Sequence, residues 1–247
     1  MPRLLAAFLW SVALLPVSAS ATDSRVLNAL LDGVLEAHVQ DGYVDYPAIA
    51  RNVRFHKYLE ALAEFDADGL ADDRERMAFW INAYNALVIK QIIEGQTPIG
   101  TIAKIKFFRT TEHRAGGRDV DLQTLAEDIL FKFEDPRVHF AIVDSGYSAP
   151  RLRSEAYRVD ELDRQLDDNT RDFLNDNRKN RISETLRRAK LSPIFEDYID
   201  DFGGDKAGVL EFLSRYVDDE KLAEALAAGR FDLEYMEYDW SINGRPM

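Results

Sequence analysis

The chain has 247 residues, with 44 acidic against 31 basic side chains, a formal net charge of −13 and no cysteine. So acidic a surface repels phosphate backbones and anionic lipid, which argues against nucleic acid as a partner. A chain without thiols has no disulfide, no Cys-ligated zinc, no redox pair and no thiol-protease chemistry.

In chain order, the first signal is N-terminal. Arg3, the apolar run LLAAFLWSVALL and the small residues Ala19, Ser20 and Ala21 read as a secretory signal cut after Ala21. The run is shorter than the roughly 20 residues that span a bilayer, and no cysteine follows to take a lipid. The expectation is removal of residues 1–21, no membrane span thereafter, a periplasmic or secreted location, and a single globular domain over residues 22–247.

Residues 24–39 place Val26, Leu27, Leu30, Leu31, Val34 and Leu35 at helical spacing behind Asp23 as N-cap. Residues 48–64 read as a second helix and 73–94 as a third, stopped by Gly95. Around Gly116-Gly117, KFFRTTEHR and RDVDL read as a hairpin. Asp121 then caps a helix through LQTLAEDILFKF, ended by Pro136. The run VHFAIV, 138–143, reads as a buried strand that breaks at Asp144-Ser145-Gly146. Helices are expected at 160–175, 193–200 and 206–216. The tail RFDLEYMEYDWSIN alternates like a strand, with its apolar phase switching near Tyr235-Met236, as a β-bulge would produce. The expected class is α+β: mostly helical, with a small antiparallel sheet.

The chemistry-bearing residues are few. The four histidines, His38, His56, His113 and His139, show no HExxH or HxxxH arrangement, so neither a metal nor a cofactor is expected. The first three read as surface or structural. His139 and Ser145 share a strand face, but six residues of strand span about 20 Å, too far for a nucleophile and its base. His139 therefore reads as a buried histidine bonded to backbone. Asn82 and Asn85 lie on one stripe of the apolar helix, where a buried amide must be bonded to something. The favoured reading is that they tie down a loop; the alternative is that they line a ligand pocket. In YDWSIN, Tyr238 and Trp240 read as inward-facing, and Asp239 and Ser241 as facing the other way.

The ordered series VDYPAIA, AFWINAYNALVIK, DPRVHFAIV, RLRSEAY, LDRQLDDNTRDFLND, LSPIFEDYIDDF and YDWSIN resembles the bacterial and plant family known as domain of unknown function 547, over about residues 44–243. In that family the apolar strand runs into two cysteines five residues apart, and a Glu-His pair lies in the preceding helix. The matching positions here are Asp144 and Ala149, and Glu127-Asp128. A thiol mechanism or a disulfide in the family therefore cannot be carried to this chain. Asn82, Asn85, Glu127, Arg137, His139, Arg153 and Asp239 keep the family's residue types.

Two functions remain open. One is a non-catalytic envelope protein binding a small ligand, peptide, glycan or partner, with Asn82, Asn85, Arg137, Ser145, Arg153 and Asp239 as binding candidates. The other is a hydrolase using carboxylates in the same cleft, with Asp144, Asp128, Glu127 and His139 as catalytic candidates.

Overall fold

A computed structural model describes residues 23–70 and 72–244. The expected signal segment lies outside the described residues. Among the described residues no helix is long and apolar enough to cross a membrane.

The helical expectation holds for the long elements. Helix α1 spans Ser24–His38, with the Asp23 carboxylate accepting from the Arg25 N–H as its N-cap. A two-residue hairpin follows, β1 (Val39–Gln40) and β2 (Tyr43–Val44). The helix expected at 48–64 is two: α2 (Tyr46–Ile49), capped by Asp45, and α3 (Val53–Glu64), capped by Asn52. Each cap satisfies N–H groups that a continuous helix would have bonded internally, so the break is stabilised at both ends. Helix α4 (Asp73–Ile93) is the hub: 14 of its 21 residues are buried, on all sides, as its all-round apolar composition demands.

After α4 come α5 (Thr101–Ile105), a π-helical turn over Lys106–Thr110, and the hairpin β3 (His113–Ala115) and β4 (Arg118–Val120). Gly116 and Gly117 have φ of 59° and 77°, the left-handed pair that a tight hairpin requires. A Cβ on Gly116 would lie 2.6 Å from the Trp80 ring. The expected helix at 122–133 begins as one turn, α6 (Leu122–Thr124), widens to a π-helix over Leu125–Leu130 and tightens to a 3₁₀ turn over Phe131–Phe133.

The largest departure is at VHFAIV, which is not a strand. Residues Pro136–Phe140 form a 3₁₀ turn capped by Asp135, and residues 141–144 then continue without joining a sheet. Side-chain amides replace the missing ladder. Asn85 Nδ2 donates to Ala141 O at 3.0 Å, and its Oδ1 accepts from the Val143 N–H at 2.9 Å. From the other side, Asn169 Nδ2 donates to Phe140 O at 2.8 Å. An apolar run threaded between two helices is as dry as a central strand, so hydrophobicity alone does not separate the two.

Helix α7 (Leu162–Leu174) follows, then the hairpin β5 (Arg181–Ser183) and β6 (Arg188–Leu191), and α8 (Ile194–Asp197) with a 3₁₀ turn over Ile199–Phe202. The chain continues through α9 (Lys206–Ser214) and α10 (Glu220–Ala227) into β7 (Asp232–Tyr235), which pairs parallel to β6. The phase switch at Tyr235-Met236 marks where the chain leaves this sheet, not a bulge within it. Leu233 and Tyr235 pack on one apolar cluster, and Ile242 on another.

Those two clusters meet at the segment 138–143. The larger, built from α1 to α7, contains Val138; the smaller, built from the end of α7 to β7, contains Phe140. The class is α+β, helix-rich with small sheets. Asp144 emerges at the seam between the two clusters.

Candidate functional site

The turn at 144–150 is held by the tail that follows β7. The Tyr147 N–H donates to Ser241 O at 2.7 Å, the Ser148 N–H to Asp239 O at 3.1 Å, and the Asn243 N–H to Ser145 O at 2.8 Å. Ser145 sits at φ 72° with its Oγ buried and unpaired, an uncommon conformation for a residue with a Cβ. Gly146 is needed because a Cβ there would lie 3.0 Å from the Tyr238 ring and 3.1 Å from Asp144 Oδ1.

This packing fixes the Asp144 carboxylate. Its Oδ1 accepts from the Gly146 N–H at 2.9 Å and its Oδ2 from the Tyr238 hydroxyl at 2.8 Å. Burial raises its pKa above the ordinary value, opposed by those two donors and by the charges of Lys104 and Lys179. Around it, burial raises the pKa of Tyr84, Tyr198 and Tyr238, and the nearby Asp144 charge adds to each. Tyr198 is pushed up to about 12, so all three phenols are neutral donors at physiological pH.

Two connected hollows share Tyr84, Lys104, Asp144, Tyr198 and Trp240. The outer one, of about 550 Å³, adds Phe108, Arg109, Gln123 and Glu127; the inner, of about 320 Å³, adds Phe131, His139 and Tyr238. Both π-helical segments open onto the outer hollow, through Phe108 and Arg109 on one and Ala126 and Glu127 on the other. Such widened turns forfeit regular hydrogen bonding and recur where a site needs side chains at non-helical spacing. Perturbed titratable groups in a concave, aromatic-walled cleft are the physical signature of a functional site.

The sequence candidates distribute unevenly over this cleft. Asp144 is central, Glu127 lines the outer hollow and His139 the inner one. His139 is buried, with its ring Nε2 2.7 Å from Asp201 Oδ2 and ring centroids 4.3 Å from both Phe131 and Tyr198. It is thus bonded to a carboxylate instead of to backbone. Burial lowers its pKa, against the pull of Asp201, so the neutral ring donates its Nε2 proton. Asp128 is exposed and lines a separate shallow hollow with Arg109, Asp121 and Glu127, whereas Asp144 lines the other two. Among the described residues, no group of three or more His, Asp or Glu is placed to hold a metal ion.

The remaining candidates lie outside the two hollows. Asn82 exchanges two hydrogen bonds with the backbone of Tyr157, both at 2.8 Å, and Asn85 pins 141–143, so both amides tie loops. Arg137 is bridged to Asp135, Asp163 and Asp167. Arg153 bonds Gln165 O and Glu155. Asp239 is exposed and accepts from the Ser241 N–H at 2.9 Å.

Residues 68–174 match the family described as "Protein of unknown function, DUF547". Over those residues the chain carries the DUF547 pattern. No curated protein and no solved structure matches the chain. The DUF547 segment ends with α7 and contains Asp144, Glu127, Lys104 and Tyr84. The other walls, Tyr198, Tyr238 and Trp240, come from the chain beyond it. Sequence reasoning missed Lys104, Tyr84 and Tyr198 as cleft residues. Lone polar residues at the rims of apolar runs carry no motif, and only the fold brings them together.

Proposed function

We propose that this chain is an exported, non-catalytic binding protein that holds a small ligand, peptide or glycan in the cleft around Asp144. One observation carries the reading. A carboxylate kept in an unfavourable, desolvated place, held by one phenol and one backbone N–H and walled by further neutral phenols and an indole, suits recognition. A thermal-shift screen of the mature chain against envelope-derived peptides, glycans and divalent cations tests it. A ligand that binds the folded state raises Tm by mass action, and Asp144→Asn should abolish that shift. Shifts that survive the substitution unchanged would place binding elsewhere. Export is tested by mass spectrometry of protein from its native host, where a new N-terminus is expected at or near Thr22. Recovery of the chain intact from Met1 in the cytoplasm would remove that part of the reading.

A second reading, a carboxylate-dependent hydrolase, is favoured by Glu127 lining the same hollow as Asp144. An acid with a raised pKa sharing a cleft with a second carboxylate is an arrangement used in glycoside hydrolysis. Chromogenic glycosides assayed with the wild type and with Glu127→Gln and Asp144→Asn decide it. Turnover lost in both variants supports the enzyme, and no turnover in the wild type sinks it.

A further inference from the structure

The cleft already contains a cation. Lys104 Nζ lies 3.6 Å from the centroid of the Trp240 ring, the distance of a direct cation–π contact. Trp240 packs on Tyr238 with ring centroids 4.5 Å apart, and the Tyr238 hydroxyl donates to Asp144 at 2.8 Å. The Lys104 charge in turn lies close enough to favour the ionised form of Asp144. Ammonium, indole, phenol and carboxylate thus form one continuous arrangement. Tyr84 and Tyr198 supply two further aromatic faces, and Glu127 a second carboxylate.

The element that delivers Lys104 is lightly held. Helix α5 has five residues and buries none of them. Ile102 is 85% exposed, and the helix starts after Gly100 at φ 92°. Little packing is lost if α5 swings outward and withdraws the ammonium. What it would leave is an aromatic-walled hollow with two carboxylates, on a protein of net charge −13. The surrounding field favours approach of a positive ligand.

We propose that the ligand of this cleft carries an alkylammonium group, which seats between Trp240 and Asp144 in the place that Lys104 occupies in this structure. The proposal rests on the binding reading above and adds to it the ligand's chemistry. Lys104 is then an internal stand-in that a ligand must displace. It keeps the aromatic walls apart and the carboxylate partly compensated until a ligand takes its place.

Removing the stand-in should strengthen binding, which is the opposite of what removal of a contact residue does. The test is calorimetric titration of the mature chain, its Lys104→Met variant and its Asp144→Asn variant. The probes are trilysine, cadaverine, triglutamate and maltotriose. Methionine retains the apolar stem of Lys104 and removes only the charge, and thermal melts check that each variant is folded. The expected result is binding of trilysine or cadaverine, about tenfold tighter in Lys104→Met and at least tenfold weaker in Asp144→Asn. Trilysine without cadaverine would assign a peptide source to the amine, and both together a free amine. Amine binding unchanged or weakened in Lys104→Met would overturn the stand-in role. Binding of triglutamate or maltotriose that depends on Asp144, with no amine binding, would overturn the ligand class and leave the cleft reading intact. No amine bound even by Lys104→Met would refute the ligand class, leaving the broader screen to judge the cleft.

Discussion

Asn85→Leu is the most direct test of how the fold holds its cleft. Asn85 is 5% exposed, and its amide meets the Ala141 carbonyl at 3.0 Å and the Val143 N–H at 2.9 Å. Leucine has nearly the same volume and fills the space, but leaves both backbone groups buried and unpaired. Each such group costs about 1–3 kcal/mol. The extra apolar burial returns about 1 kcal/mol, so the net loss should be about 1–5 kcal/mol. For a domain of this size that is a fall in Tm of roughly 2–20 °C, at about 2–4 °C per kcal/mol. Asn85→Asp should be at least as damaging. Its carboxylate can still accept from Val143 N–H, but it faces the Ala141 carbonyl with no proton to offer. Urea denaturation of the wild type and both variants, followed by tryptophan fluorescence, measures the difference. If Asn85→Leu matches or exceeds the wild type in stability, the amide is not replacing a sheet ladder and the account of this segment is wrong.

Trp80→Ala should cost about 3–5 kcal/mol, because the ring is 3% exposed and packs edge-on to Phe79 at 4.9 Å; a loss below 1 kcal/mol by denaturation would contradict its core placement. His113 is buried, its Nε2 accepts from Gln91 Nε2 at 2.9 Å, and burial pulls its pKa from 6.5 to about 4. A depressed histidine disfavours the fold when protonated, so its contribution to stability is lost as pH falls from 6.5 towards 4, by about 3 kcal/mol in all. His113→Gln should show a shallower decline over that window than the wild type, and parallel curves would refute the assignment. Asp144 behaves oppositely: its pKa lies above 3.8 in the fold, so its neutral form is favoured, and stability is lost as pH rises through the folded value. The groups facing it are Lys104, Lys179, Tyr46, Tyr84, Tyr198 and Tyr238. Asp144→Asn should therefore melt higher than the wild type at pH 7, as expected where stability is given up for function; a lower melting point would make Asp144 a structural residue.

What the sequence made legible follows from how local each signal is. The caps at Asp23 and Asp121, the paired glycines of β3–β4 and the apolar surface of α4 are decided within a few residues, and they appear as expected. VHFAIV misled because burial was readable and the partner was not: two asparagines from distant helices do the work of neighbouring strands. The hairpin β5–β6 and helix α10 drew no expectation, since Arg181–Ser183 and Glu220–Ala227 are short and largely exposed. The cleft was half legible. Asp144 and His139 were singled out by the apolar run and its turn, and Glu127 by the resemblance. Their aromatic and cationic neighbours lie on five separate stretches of chain, and no spacing rule joins them.

The lacing of the 144–148 turn by the tail has a consequence for the order in which the molecule forms. Tyr46 donates to Asn243 across 197 positions of chain at 2.6 Å, and Tyr238 reaches Asp144 across 94. Contacts so distant in sequence bear the largest loop-closure entropy, so they are disfavoured until the elements between them have already collapsed. The helices around α4 can consolidate from local contacts before Tyr238, Trp240 and Asn243 have found their places. A folding intermediate would then carry a near-complete hydrophobic core and an unfinished mouth. Protease cutting after β7 should mimic that intermediate, leaving most of the helical signal in place while the walls that Tyr238 and Trp240 give to the cleft fall away.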